Sequence, residues 1–191
     1  MIRRPPRSTL DRSSAASDVY KRQGVDITFD PRTIGMQIDD TIMQKNLVAR
    51  LSLREKKYFL NIQVEVLDGR IFLSGKVDEP EEKIKITKLA WETKGVREVK
   101  NAIVIKGNSN FKQTAKDILI TSQLRTALIF NKKTKARNYT LETINKKIYI
   151  FGIAMDSNEK KEVLLEAEKI YDVEKIIPSI YLASELSRNK I

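Results

Sequence analysis

NIQVEVLDGRIFLSGKV, residues 61–77, holds two alternating apolar–polar runs separated by Asp68-Gly69. An Asp-Gly pair between such runs predicts a β-hairpin, because both turn residues take positive φ. The flanking segments extend the reading. Upstream, DDTIMQKNLVARLSLREKK (39–57) repeats at helical spacing, with Met43, Leu47 and Leu51 on one stripe. Downstream, DEPEEKIKITKLAWETKG (78–95) predicts a helix, with Pro80 in its first turn, acidic residues at its start and Gly95 as its stop. VREVKNAIVI (96–105) supplies a closing strand. The order is αββαβ, an α+β unit in which a three-stranded sheet carries helices on one face: a thin two-layer domain.

The same grammar occurs twice. A shift of 77 residues lays Asp40–Ile105 on Asp117–Leu182 without a gap, placing Asp40 on Asp117, Leu47 on Leu124, Glu65 on Glu142, Gly75 on Gly152 and Ala90 on Ala167. Two copies of one small domain follow. The boundaries read as a lead-in at 24–38, a first domain at 39–106, a linker at 107–114, a second domain at 115–183 and a tail at 184–191. The copies differ in detail. The second hairpin turn, INKKI, has no Gly. The second copy's IYIFGIA places Tyr149, Phe151 and Ile153 where the first has Phe72, Ser74 and Lys76, so its second sheet face is apolar too. This predicts that the face packs on the first domain or the linker. Pro178 removes a ladder donor and predicts an edge position or a bulge for the last strand.

Composition narrows the chemistry. The 191 residues contain no Cys and no His, which excludes disulfides, thiolate nucleophiles, His-based triads and His or Cys metal sites. No catalytic residue, cofactor or metal is assigned. No run reaches the ~18 apolar residues of a membrane span. The net charge is +11, of which residues 1–23 carry +4 and the remainder +7. Anionic partners, a lipid surface or nucleic acid, are therefore in play. No aromatic-interleaved basic stripe supports nucleic acid, which is not expected as a partner.

DPRTIGMQIDD (30–40), the two copies in register, the helix DILITSQLRTALI (117–129) and the glycines Gly75 and Gly152 together resemble the dual BON-domain proteins of the bacterial envelope. The resemblance runs from Asp30 to Leu182. It departs at Asp172, which replaces the helix-stopping glycine found at Gly95, and at Leu119, where relatives can carry Trp. It implies a tandem αββαβ pair in the periplasm, often tethered to the outer membrane by a lipidated N-terminal Cys. It also implies phospholipid binding through the second domain and a role in envelope integrity rather than catalysis. The opening, MIRRPPRSTLDRSSAASDVYKRQ (1–23), looks like the translation of a sequencing-library adapter fused in frame, and is excluded from fold reasoning. The absence of a signal peptide and lipidation Cys then says nothing about location.

On the second copy's first helix, Ile120, Leu124, Ala127 and Leu128 form the stripe that meets its own sheet. Ile118, Leu119, Ile129 and Phe130 fall outside it, with Ala115, Ser122 and Thr126 between them. Arg125, Lys112, Lys116, Lys132 and Lys133 lie around the ends and flank. This second face either packs on the first domain or meets a membrane, where apolar side chains at headgroup depth and basic neighbours favour anionic lipid. The resemblance favours lipid, with Ile118, Leu119, Arg125, Ile129 and Phe130 as the contacts. The first copy also has off-stripe apolar residues, at Ile42, Ala49 and Leu53. An alternative function is a protein-binding adaptor using Tyr149, Phe151 and Ile153. Asp39-Asp40 reads as cap and dipole partners, Trp91 as a core or interface residue, and NKKTKARNY (131–139) as a solvated connection.

Overall fold

A computed structural model describes residues 30–107 and 111–187. The adapter-like opening, residues 24–29 of the lead-in and residues 188–191 of the tail lie outside these. The first domain comprises α1 (Ile34–Arg54), α2 (Lys56–Asn61), β1 (Ile62–Leu67), β2 (Arg70–Val77), α3 (Pro80–Trp91) and β3 (Glu98–Ile105). The second comprises α4 (Phe111–Phe130), a 3-10 turn at Ala136–Asn138, β4 (Tyr139–Ile144), β5 (Lys147–Ala154), α5 (Ser157–Glu168) and β6 (Lys175–Leu182). A 3-10 turn at Ala183–Glu185 follows.

Both sheets have the hairpin's second strand in the centre, antiparallel to the first strand and parallel to the third. Pro178 therefore sits on an edge strand, as its missing N–H requires. The helix-facing residues Val64, Ile71, Leu73 and Ile103 pack with Leu47, Leu51, Ile86 and Ala90. Their counterparts Leu141, Ile148, Ile150 and Ile180 pack with Leu124, Leu128, Val163 and Ala167. The register of the repeat is thus the register of the two cores.

A buried carboxylate ties each first helix to its hairpin. Asp40 accepts from the amides of Asp68 and Gly69 at 2.7 and 2.9 Å, and Asp117 accepts from those of Asn145 and Lys146 at 2.8 and 2.9 Å. All four turn residues have positive φ, at 52°, 71°, 49° and 62°. The glycine-free second turn adopts the same geometry because its amides have this fixed acceptor. Asp40 is therefore an interior anchor rather than a helix cap. Helix α1 begins upstream of the expected Asp39, at Ile34, because Thr33 caps it by accepting from the Met36 amide. Arg32 of the lead-in then reaches Asp40 at 2.7 Å and donates to the Val66 carbonyl.

The domains are not separate two-layer units. Their helix-free sheet faces pack on each other, giving four layers in the order helix, sheet, sheet, helix. Phe72 stacks on Phe151 with centroids 5.3 Å apart, Tyr181 meets Phe151 edge-on, and Arg70 lies over the Tyr181 ring. Tyr149 packs against the same cluster, and Ile153 is buried with Met36 and Leu186. The apolar face of the second sheet is thus covered by the first domain, which removes it as an adaptor surface. Glu65 and Glu142, equivalent in the repeat, are half-buried on these two faces, and burial pushes both carboxyls up. The start of α1 meets the end of β5 through Met36 and Ile153. The start of α4 meets the end of β2, where Lys76 donates to Thr114 at 3.5 Å. These reciprocal contacts describe a pseudo-twofold, so α1 and α4 lie on opposite outer faces and run in opposite directions. Beyond β6, Leu186 is fully buried and Ser187 donates its amide and hydroxyl to Asp68.

Candidate functional site

The outward face of α4 is set by what its inward face must do. Asp117, Ile120, Leu124 and Leu128 are buried, and they fix the helix's rotation. At about 100° per residue the opposite arc carries Ala115, Ile118, Leu119, Ser122, Thr126, Ile129 and Phe130. Ile118, Leu119, Ile129 and Phe130 are 63%, 57%, 64% and 79% exposed. The only charged residue of α4 at these azimuths is Lys112, in the helix's first turn. The helix's second apolar side is therefore open to solvent, not packed on the first domain. It brings four of the five expected contact residues onto one face, with small residues between them.

Arg125 is placed differently. It is half-buried, and its Nη1 donates to the carbonyls of Ala136 at 3.2 Å and Tyr139 at 2.9 Å. Burial lowers its pKa. Its place is beside the start of β4, where it orders the chain after the helix. Cations at the rim come from the helix ends. Lys112 and Lys132 are exposed. Lys116 is tied to Asp172 at 3.1 Å, and Lys133 to Glu162 at 2.8 Å. Asp172 takes φ +64°, the conformation Gly95 takes at +84°, and Lys146 also pairs with it at 2.5 Å.

The basic stretch after α4 is built into the fold. Asn131 Nδ2 donates to Glu166, Thr134 Oγ1 donates to the Leu128 carbonyl and the Lys135 amide donates to Glu159. Gly75 and Gly152 lie where their sheets bring backbone closest: an added Cβ would come 2.0 Å from the Asn61 oxygen and 2.4 Å from the Asn138 oxygen. Trp91 is 52% exposed, so it is neither a core residue nor part of the domain interface. Other exposed apolar residues on the first domain include Ile34, Ile38, Leu60 and Ile84, none of them among the off-stripe positions Ile42, Ala49 and Leu53 that the sequence singled out. Among the described residues no helix is long and apolar enough to cross a membrane.

Fold and site together define a tandem αββαβ protein with an exposed apolar face on the first helix of its second unit. The family described as BON domain matches residues 39–107, the first of the two units. A protein described as "Uncharacterized protein in gshII 5'region" from Anaplasma centrale is 30% identical over 125 residues, covering 65% of this chain and 83% of that protein. The outer membrane lipoprotein DolP of Haemophilus influenzae is 28% identical over 154 residues, covering 79% and 78%. The 21 kDa hemolysin of Actinobacillus pleuropneumoniae is 27% identical over 124 residues, covering 64% of each. The chain belongs to the BON-domain family. Among solved structures, two of CdsD, a structural protein of the type III secretion system of Chlamydia trachomatis, match 75% of this chain at 15% identity. Their TM-scores are 0.30 and 0.31, and the chain spans 66% and 63% of their length.

Proposed function

We propose that this chain is a non-catalytic protein of the bacterial envelope that docks on anionic phospholipid through the outer face of α4. The observation that carries this reading is the apolar arc of Ile118, Leu119, Ile129 and Phe130, held open to solvent by a helix whose opposite side is locked into its core. Exposed side chains of this size are favourable at headgroup depth, at about 25 cal/mol per Å² of apolar surface removed from water. Each rim Lys near an anionic surface adds ~1 kcal/mol. Arg125 positions the segment that follows the helix. The likeness to an outer membrane lipoprotein supports placement in the periplasm at a membrane surface.

Co-sedimentation with vesicles of neutral lipid and of anionic phosphatidylglycerol tests this, with the full chain and with a chain lacking residues 1–23. Salt-sensitive pelleting with anionic vesicles only is expected from both. Leu119→Glu, at an exposed position that leaves the core untouched, should weaken pelleting by about tenfold or more, since a carboxylate then faces the apolar boundary. Unchanged pelleting of Leu119→Glu and Ile129→Glu removes α4 as the docking face.

A further inference from the structure

The outer face of the first domain carries more exposed apolar surface than α4 does, and it points the opposite way. On α1, Met36, Leu47 and Leu51 are buried, and Ile38, Ile42 and Leu53 stand on the far side. On α3, Ile86, Leu89 and Ala90 are buried, and Ile84 and Trp91 point straight away from the sheet. At the α1–α2 corner Leu53 and Leu60 are 87% and 81% exposed. So many large exposed apolar side chains on one side of a small domain mark a contact site more often than a solvated face. The repeat supplies an internal comparison. The positions of Ile84 and Trp91 are Lys161 and Glu168 in the second domain, so the fold itself does not require apolar residues there.

Charge decides what covers it. Lys45, Arg54, Lys56 and Lys88 are exposed around this face and none has an ion pair among the described residues, whereas of the exposed acids there Glu55 and Glu92 are paired with Lys57 and Arg50 and Glu81 is not. An apolar patch with an indole and a rim of unneutralised cations suits the boundary of an anionic bilayer. We propose that this face is a second docking surface for anionic phospholipid, and that the protein thereby bridges two bilayers. The sheet-to-sheet packing holds the two faces back to back, so a single flat bilayer reaches only one of them. The bridging rests on the lipid reading of α4; the first-domain contact stands on its own residues.

Trp91 is the only tryptophan of the chain, so its emission reports on this face alone. The full chain is mixed with phosphatidylglycerol vesicles, and pelleting, vesicle clustering by light scattering and Trp91 emission are followed. The wild type should pellet, cluster vesicles and shift its emission to shorter wavelength. Leu119→Glu/Phe130→Glu should lose clustering and pellet about tenfold or more weakly, while its residual binding at high vesicle concentration keeps the emission shift. Leu53→Glu/Leu60→Glu should keep pelleting but lose both other signals. If Leu119→Glu/Phe130→Glu neither pellets nor shifts Trp91, the first-domain face is not a lipid surface and the inference falls, while the α4 reading stands. Clustering by the wild type alongside that result would mean contact between protein copies, and overturns the inference equally. If only Leu53→Glu/Leu60→Glu loses pelleting, the α4 reading falls and bridging falls with it.

Discussion

Gly75 and Gly152 show how one position is constrained twice in one copy and once in the other. Each pairs with the first residue of the neighbouring strand, Ile62 and Tyr139, directly after a carbonyl that turns toward it. A Cβ at either position meets backbone, which cannot give way as a side-chain tip could. Gly75 alone also has φ +128°, outside the comfortable range of L-residues. Gly75→Ala should therefore cost about 3–5 kcal/mol of stability and Gly152→Ala about 1–3 kcal/mol, from overpacking with and without backbone strain. Urea unfolding of the two variants checks the order. A loss at Gly152 equal to that at Gly75 would leave φ with no part in the effect.

Among the elements, α3 has the clearest local logic. Glu82 accepts from the amides of Asp78 at 2.8 Å and Glu79 at 3.0 Å, closing the capping box, and Lys57 reaches it from α2 at 2.5 Å. The bond from Lys57, against the cost of burial, holds its carboxyl down to about 2. A carboxyl depressed in the fold contributes stability above its unfolded value, near 4.5, and loses it as pH falls toward 2. Wild-type stability should thus decline between those limits. Glu82→Gln should be less stable at about pH 7 and flatter across that window, measured by urea unfolding at several pH values. An equally steep decline in the variant would assign the acid loss to other groups. Glu159 repeats the arrangement by accepting from the Met155 and Lys135 amides. This much was legible, since DEPEEK carries its acidic start and Pro80 in the sequence. The break at Glu55 was not. Its extended backbone ends α1 and starts α2, letting Tyr58 turn into the core. Nothing in LREKKYFL separates that geometry from continued helix. The early start of α1 depended on Thr33 capping, and the apolar Gly-containing stretch after it hid the boundary.

For the whole molecule, the sequence pointed to the interface from one side only. Tyr149, Phe151 and Ile153 break the polar alternation of β5, and that break is what the first domain covers. The first domain's own contribution was obscure because on its face of the sheet Phe72 stands between Arg70 and Ser74, and Ala102 is small and follows Lys100. The exposed face of α4 was legible as an arc of apolar residues but not as an open one, since openness depends on how the domains pack. Phe151 sits where this matters most. It is fully buried, yet its partners Phe72, Ala102 and Ile144 belong to the seam rather than to either helix-backed core. Phe151→Ala should cost about 3–5 kcal/mol, as deletion of a buried aromatic does. Because the loss falls on the contact between domains, the single calorimetric transition expected of the wild type should separate into two. Ile150→Ala provides the comparison, removing a neighbour that faces the second domain's own core. It should lower that domain's stability by about 2–5 kcal/mol without uncoupling the pair in the same way. If both variants keep one transition, the sheet-to-sheet seam does not by itself set the cooperativity. The strap from Leu186 and Ser187 to Met36, Ile153 and Asp68 would then be the element that holds the two outward faces back to back.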